Sequence, residues 1–517
     1  MKICVINFSI LLLIVLPNIS YCQYLQKLYD IDSSNDWGVD IFIQPDSSYL
    51  IFGTKIYPIY HWGLFNTIIS SDGNGINNKK IIQYNNCNLY MGACGSIKKI
   101  PTGGYLAPFS AYLDYGSGIQ KSWCGLIKYN DIVDTIFLET YTDTAHNFEN
   151  MYNCAVLPYG GYLVGGERNT NYSAYSSALI IRTDTFGDTI WTHTYQKYIN
   201  QSAGINQLIP LADGRTVVGA YSRRNEGTGL NTYWAYDPWF FVIDSIGNIL
   251  RDTLYSFGYK DGGFLYKDIT GGYFTTGQLD ILYGGDPNAM QSFPNFIAHL
   301  DTNFRTTWQT PFPYDSIYNS YTVSDYAIQL SNGSYIVIGD QSYDLGNWVN
   351  GWAAKISETG EILWSHYYNA GDTAHDVAFL RGVTEKPDGS LILVGCSHND
   401  TLPTAWTNEN LWLLGVDSNG CENSWCAPAE VKTIKQPLSN VLKVYPNPTF
   451  GSITLSATNT GKFILYTILG QQATEYVVNS GLTEVQLPTS LSDGIYIGKY
   501  VADDGSLKQE VRIVLEK

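Results

Sequence analysis

The chain has 517 residues and a formal net charge of −17, from 47 acidic against 30 basic side chains. So acidic a polymer repels phosphate backbones, and no basic run or basic–aromatic patch offsets it, which argues against nucleic acid as a partner. Only 15% of residues are charged, whereas 41 tyrosines and 13 tryptophans supply rings suited to β-sheet packing and to sugar-facing surfaces alike.

In chain order, residues 1–22 read as a signal peptide. Lys2 gives a short positive start, Ile3 to Leu16 is apolar apart from Asn7 and Ser9, and Ser20 and Cys22 are small residues ahead of a cleavage before Gln23. That apolar run falls short of the roughly 20 residues a membrane span needs, and no later segment supplies one, so no transmembrane anchor is expected.

Residues 23–426 carry a motif seven times over: tyrosine or a substitute, three mostly apolar residues, then glycine. The copies start at Tyr49, Tyr105, Tyr162, Arg215, Tyr273, Tyr335 and Leu391, spaced 56, 57, 53, 58, 62 and 56 residues apart. A near-constant period of this size marks one supersecondary unit copied along a chain. Each copy divides into four short strands. Tight turns such as Asp213-Gly214 and Asn332-Gly333 join strands one and two, and others such as Asp184 to Gly187 join strands three and four. Seven such units predict a seven-bladed β-propeller. The second copy has Pro108 and Phe109 where glycine is expected, so its strand is expected to bend. The seventh has only three strands, and the segment from Tyr24 to Tyr29 resembles the missing fourth, so it is expected to dock there and close the ring.

With both turn classes tight, the longer connections between strands two and three share one face, and they are aromatic. Tyr57, Tyr60, Trp62, Tyr172, Tyr233, Trp234, Trp239, Trp348 and Trp406 are the candidate ligand-binding residues. Rigid rings beside Asn and Asp suit a glycan or a protein ligand; the same rings can instead pack loops onto the body. There is no H-E-x-x-H, no G-x-S-x-G and no phosphate loop, so no catalytic residue is named and no metal or cofactor is expected. Cys421 and Cys426 end the last repeat and form a candidate disulfide, worth roughly 2 kcal/mol for so short a loop. Cys87 with Cys94 is a second candidate pair.

After a linker at 427–442, residues 443–517 open on Lys443-Val444-Tyr445-Pro446-Asn447-Pro448-Thr449-Phe450-Gly451. Leu469-Gly470-Gln471-Gln472 and Asp493-Gly494-Ile495-Tyr496 follow, then a last strand at Val511 to Leu515. This block resembles the C-terminal sorting domain of type IX secretion cargo in Bacteroidota. The resemblance implies a small β-sandwich whose partner is the type IX machinery, with Tyr445, Pro446, Asn447, Pro448, Gly451, Gly470, Gly494 and Tyr496 as its sorting motif. The repeats are similar to those of secreted bacterial propellers, which define a fold rather than an activity.

The expected fold class is therefore all-β, a seven-bladed β-propeller followed by a small C-terminal β-sandwich. The expected place is the extracellular space or the outer-membrane surface. The preferred function is a binding or adhesion module for glycan or protein. Alternatives are a polysaccharide-active hydrolase or lyase using carboxylates on the loop face, or a purely structural surface scaffold.

Overall fold

The computed structural model describes residues 25–422 and 442–515, except 32–34, 58–60, 84–86, 115–119, 142–145, 171–174, 227–232, 256–258, 280–294, 313–320, 344–347, 371–376, 399–408, 448, 458, 468–471 and 504–507. The expected signal peptide and most of the linker lie outside the described residues. The chain divides into two units, 1–429 and 430–517. Among the described residues both are built of strands and turns alone, and no helix is long and apolar enough to cross a membrane.

The first unit is a succession of small antiparallel sheets. Sheets I (35–82), III (146–195), IV (203–254) and V (259–311) have four strands each, paired in chain order. Sheet II (88–141) has five, because its first strand is split into Asn88–Met91 and Lys98–Lys99. Sheet VI has eight strands in two halves, VIa (321–368) and VIb (377–416), joined by the single parallel bridge Val349↔Val377. Leu25–Tyr29 completes VIb by pairing antiparallel with Asn410–Val416, from Leu25↔Gly415 to Tyr29↔Leu411. The docking expected for this segment is thus present.

Local chemistry explains the turns. Asp184 Oδ1 accepts the backbone N–H groups of Phe186 (2.8 Å) and Asp188 (2.9 Å), and Asp244, Asp301 and Asp417 hold their turns the same way. The repeat glycine has a separate cause. The first strands carry a one-residue bulge, as at Met151↔Gly166 followed by Asn153↔Gly165 and at Ser324↔Gly339 followed by Tyr326↔Ile338. The bulge presses a carbonyl onto the glycine: a Cβ on Gly166 would lie 1.8 Å from Asn150 O, on Gly339 1.8 Å from Val323 O, and on Gly395 1.8 Å from Phe379 O. Only glycine fits there.

Sheet II departs from the others where the sequence does. Tyr105–Asp114 runs unbroken through Pro108 and Phe109, and its partner breaks instead. Residues 92–97 stand opposite only Ala107 and Pro108, forming an excursion in place of a bulge.

Neighbouring sheets are joined by apolar clusters that each draw on two of them. Phe52 and Leu64 of sheet I pack with Phe109 and Ile127 of sheet II. The series continues through every neighbouring pair, and the last unites Leu25, Val394 and Leu411 with Ile41, Ile51 and Phe65 of sheet I. Each fully buried Leu, Ile or Phe contributes about 1.5–3 kcal/mol. Tyrosine hydroxyls on fourth strands latch onto the next sheet: Tyr141 to Gly187 O (3.0 Å), Tyr195 to Gly247 O (2.8 Å) and Tyr368 to Gly420 O (2.8 Å). Tyr29 donates to Gly73 O (2.6 Å) and so ties the last half-sheet to the first sheet.

The second unit has a three-stranded sheet (Leu442–Tyr445, Ser452–Ala457, Gly481–Gln486) and a four-stranded one (Gln472–Val478, Gly461–Thr467, Gly494–Ala502, Lys508–Leu515). One apolar cluster draws on both, with Ile453 and Leu455 from the first and Phe463, Tyr500 and Ile513 from the second.

Candidate functional site

A bulge adds a residue and breaks the in–out alternation of a strand, re-aiming a side chain. In the first strands the added residues are Val39, Tyr152, Asn206, Asp325 and Arg381. Two of these meet between the halves of sheet VI, where Arg381 Nη1 lies 2.8 Å from Asp325 Oδ1. Burial, then Asp325 nearby, pushes the Asp340 carboxyl up to about 8, with Arg381 opposing. Burial also raises Asp325, again against Arg381. Arg381 is held above its ordinary value: burial would lower it, but Asp325, Cys94 and Asp340 more than compensate. Cys94, from the sheet II excursion, is pushed up to about 12 by burial and then by Asp325, so it is a thiol rather than a thiolate. The site therefore holds one cation, an acid protonated near neutral pH and a second carboxyl beside it.

A neighbouring group is centred on Glu167. Its Oε1 accepts from Tyr152 Oη (2.6 Å) and Asn150 Nδ2 (3.3 Å), and its Oε2 from Tyr221 Oη (2.8 Å) and Ser176 Oγ (2.8 Å). Burial, then the Glu167 charge, holds both phenols well above their ordinary range, so they remain donors. Tyr112 donates to Asn150 Oδ1, and the Arg223 guanidinium lies 5.5 Å from the Tyr236 ring centre.

Of the sequence candidates, Trp62 belongs with this assembly. It is half-buried, edge-on to Trp37 (6.1 Å) and tilted against Tyr90 (5.6 Å); the Trp37 indole donates to Glu409, and Tyr90 interacts electrostatically with Arg381 and Cys94. Trp239 is a correction. It is 1% exposed, donates to Asp252 Oδ2 (3.0 Å) and lies tilted against Phe241 at 4.5 Å, so it packs within sheet IV and presents no surface. Tyr57, Tyr233 and Trp348 stand at the last pairs of their second-to-third-strand hairpins, Tyr57↔His61, Glu226↔Tyr233 and Tyr343↔Trp348, with Trp234 one pair further in. Their side chains, and residues Tyr60, Tyr172 and Trp406, lie outside the described residues.

Glu167, Asp340, Asp325 and Arg381 were missed by sequence reasoning, although a signal existed. The residue just after each motif's fifth position is Thr54, Ser110, Glu167, Ala220, Gln278, Asp340 or Cys396, a mostly polar column in an apolar strand. Thr54 and Ser110 there accept the N–H groups of Met91 and Met151 on the following sheet, both at 3.0 Å.

Cys421 is buried with its N–H on Asp417 Oδ1 (2.8 Å), while Cys426 lies outside the described residues. Cys94 is a free thiol, which leaves no Cys87–Cys94 bridge. In the second unit Tyr445, Pro446 and Asn447 are exposed, and Asn447 Oδ1 accepts Val514 N (2.8 Å). Gly451 and Gly494 have φ of 117° and 148°. Tyr496 is 6% exposed and donates to Ser492 O (2.8 Å). Pro448 and Gly470 lie outside the described residues.

Residues 443–515 match the family model described as "Secretion system C-terminal sorting domain". No curated protein matches the chain. Among solved structures, one similar chain is PorZ of Porphyromonas gingivalis, an essential bacterial surface component of the type-IX secretion system; identity is 9%, coverage 91% of this chain and 69% of that one, and the TM-score 0.31. Another is the beta-propeller domain of the Trilobed protease from Pyrococcus furiosus, at 10% identity, 77% and 100% coverage and a TM-score of 0.41. A third is the GH93 alpha-L-arabinofuranosidase of Fusarium graminearum, at 9% identity, 74% and 93% coverage and a TM-score of 0.37. The chain is an exported protein of the cell surface or extracellular space, carrying a type IX C-terminal sorting domain through which it meets that secretion machinery.

Proposed function

We propose that the first unit is a seven-bladed β-propeller, sheets I to V and the two halves of VI being its blades, and that it acts as an extracellular binding module for glycan or protein. The seven apolar clusters running from sheet to sheet and back, and the Tyr29 latch, support the ring. The second unit is read as the small β-sandwich that the type IX machinery of a bacterium of the Bacteroidota recognises, and residues 1–22 as the signal peptide of the earlier export step.

One observation carries the binding reading. Trp62 and Tyr90 sit beside a cation–carboxylate group and near a hydroxyl-rich one, and ring faces next to fixed hydrogen-bonding groups suit sugar rings. A second reading, a polysaccharide hydrolase or lyase, rests on Asp325 and Asp340, since two adjacent carboxyls, both raised by burial, are the residue types that serve as acid and base. Incubating the full chain with a polysaccharide panel, scoring co-sedimentation and reducing-end release together, tests both. Retention without new ends, weakened about tenfold by Trp62→Ala, is the expected result. New ends that vanish in Asp340→Asn would establish the enzyme, and neither retention nor release would remove the glycan ligand.

A further inference from the structure

The opposite end of the first unit, where strands one and two turn, holds a cavity of about 370 Å³ bounded by sheets IV, V and VIa and by the sheet II excursion. Its walls include Leu208, Phe274 and Ile328, and its polar lining includes Gln207, Lys98 and Lys267. No aspartate or glutamate is among its described lining residues. That is unexpected in a chain where acids outnumber bases 47 to 30. A cavity of similar volume, about 360 Å³, beside Leu25 and Tyr49 is lined by Asp72, Asp388 and Asp417 with Lys386.

The excursion places Lys98. Ala93 N donates to Tyr152 O (2.9 Å) and Ile97 N to Asp40 Oδ2 (3.1 Å), while Gly95 (φ 68°) presses so closely on Tyr326 that a Cβ would lie 2.0 Å from its ring. Lys98 Nζ donates to Gly95 O at 2.5 Å. No ion pair holds this ammonium among the described residues; burial lowers it from its ordinary value, with Cys154 and then Asp40 opposing. An ammonium has three donors, so most of its capacity is available to a ligand.

We propose that this cavity binds a small organic anion, a carboxylate or phosphate carried on a body of about one sugar ring. The anion pairs with Lys98 and Lys267, and the apolar wall takes the ring face. This proposal is independent of the binding surface at the other end.

The test is calorimetric titration of the full chain with glucuronate, glucose 6-phosphate and glucose. One or both anions are expected to bind and glucose not to, with Lys98→Met weakening the anion about tenfold and Lys267→Ala severalfold. Binding of glucuronate alone would assign a carboxylate ligand, and of the phosphate alone a phosphate ligand. Equal binding of glucose, silence with all three, or an unchanged affinity in Lys98→Met overturns the proposal. Should Lys98→Met not fold, unchanged affinity in Lys267→Ala does so alone.

Discussion

Sheets I and II use the same two residue types in opposite order. In sheet I Gly53 on the second strand faces Phe65 on the third, and the ring fills the space above the glycine. In sheet II Phe109 is on the second strand and Gly125 on the third. Cross-strand volume is conserved, yet the first strand meets a different neighbour. Against Gly53 it bulges by one residue, with Trp37 O 2.1 Å from where a Cβ would be. Against Phe109 that approach is closed, and the strand leaves the sheet from Gly92 to Ile97. The position of one glycine thus decides whether the first strand bulges or breaks.

The sharpest way to break this comparison is to add a methyl where the bulge sits. Gly339→Ala places Cβ 1.8 Å from Val323 O, a backbone atom that cannot rotate away. A loss of about 3 kcal/mol or more is expected, read as a fall in the denaturant midpoint of the first transition. At the matching position in sheet II, Phe109→Ala also destabilises, by about 3–5 kcal/mol, but through an emptied core site, because Phe109 is 0% exposed. The causes separate in the conservative variants: Phe109→Leu recovers most of the loss, whereas no side chain larger than hydrogen recovers Gly339. A Gly339→Ala protein as stable as the parent would show that the bulge does not need its glycine.

Much of this architecture was legible in the sequence. Asp-Gly and Asn-Gly pairs mark turns because their backbone requirement is local, and the segment Leu25–Tyr29 announces its place through a side-chain pattern shared with the other fourth strands. The excursion was not legible: Phe109 told of a departure, but which strand would yield depends on packing against Gly125. Trp239 misled for a similar reason. It follows Tyr233 and Trp234 in an aromatic run, but Tyr233–Ile243 is one strand in which Trp239 falls on a packed face. The paired Asp325 and Asp340 lie on different strands and come together only through the bulge register.

A smaller effect sharpens the role of Asp40, which fastens the excursion by accepting Ile97 N and belongs to no other repeat's design. Burial is the largest influence on its carboxyl and raises it to about 7, with Lys98 opposing. The folded state therefore holds a proton that the unfolded chain has released by about pH 4. The sign follows: this group's contribution is favourable at low pH and declines as pH rises from about 4 to about 7. The full change is at most about 4 kcal/mol at this buried site, and less where water reaches it. Asp40→Asn keeps an acceptor for Ile97 and should flatten that part of the stability profile, making the variant more stable than the parent at pH 8 by up to that amount. Parallel pH profiles for the two proteins would mean that Asp40 is ionised in the fold.

The smallest effect concerns the latches between sheets, where sheet II again stands apart. Sheets III and IV are joined by the Tyr195 hydroxyl donating to Gly247 O, within a ladder of Trp191, His193 and Tyr195 of which the last two lie over the turn glycine. Sheet I reaches sheet II differently, through Lys80 Nζ donating to Ile132 O (3.1 Å) and pairing with Asp134. The Tyr195 hydroxyl is buried, so Tyr195→Phe strands a carbonyl and should cost about 1 kcal/mol. Lys80 and Asp134 are both partly exposed to water, at 31% and 55%, so Lys80→Met should cost less than Tyr195→Phe, and less still at high salt. Thermal melts in low and high salt separate the two: the tyrosine variant's loss is independent of salt, and the lysine variant's vanishes with it. A larger loss for Lys80→Met would mean that the acidic turn of sheet II, rather than the ring of tyrosine hydroxyls, sets the strength with which neighbouring sheets hold together.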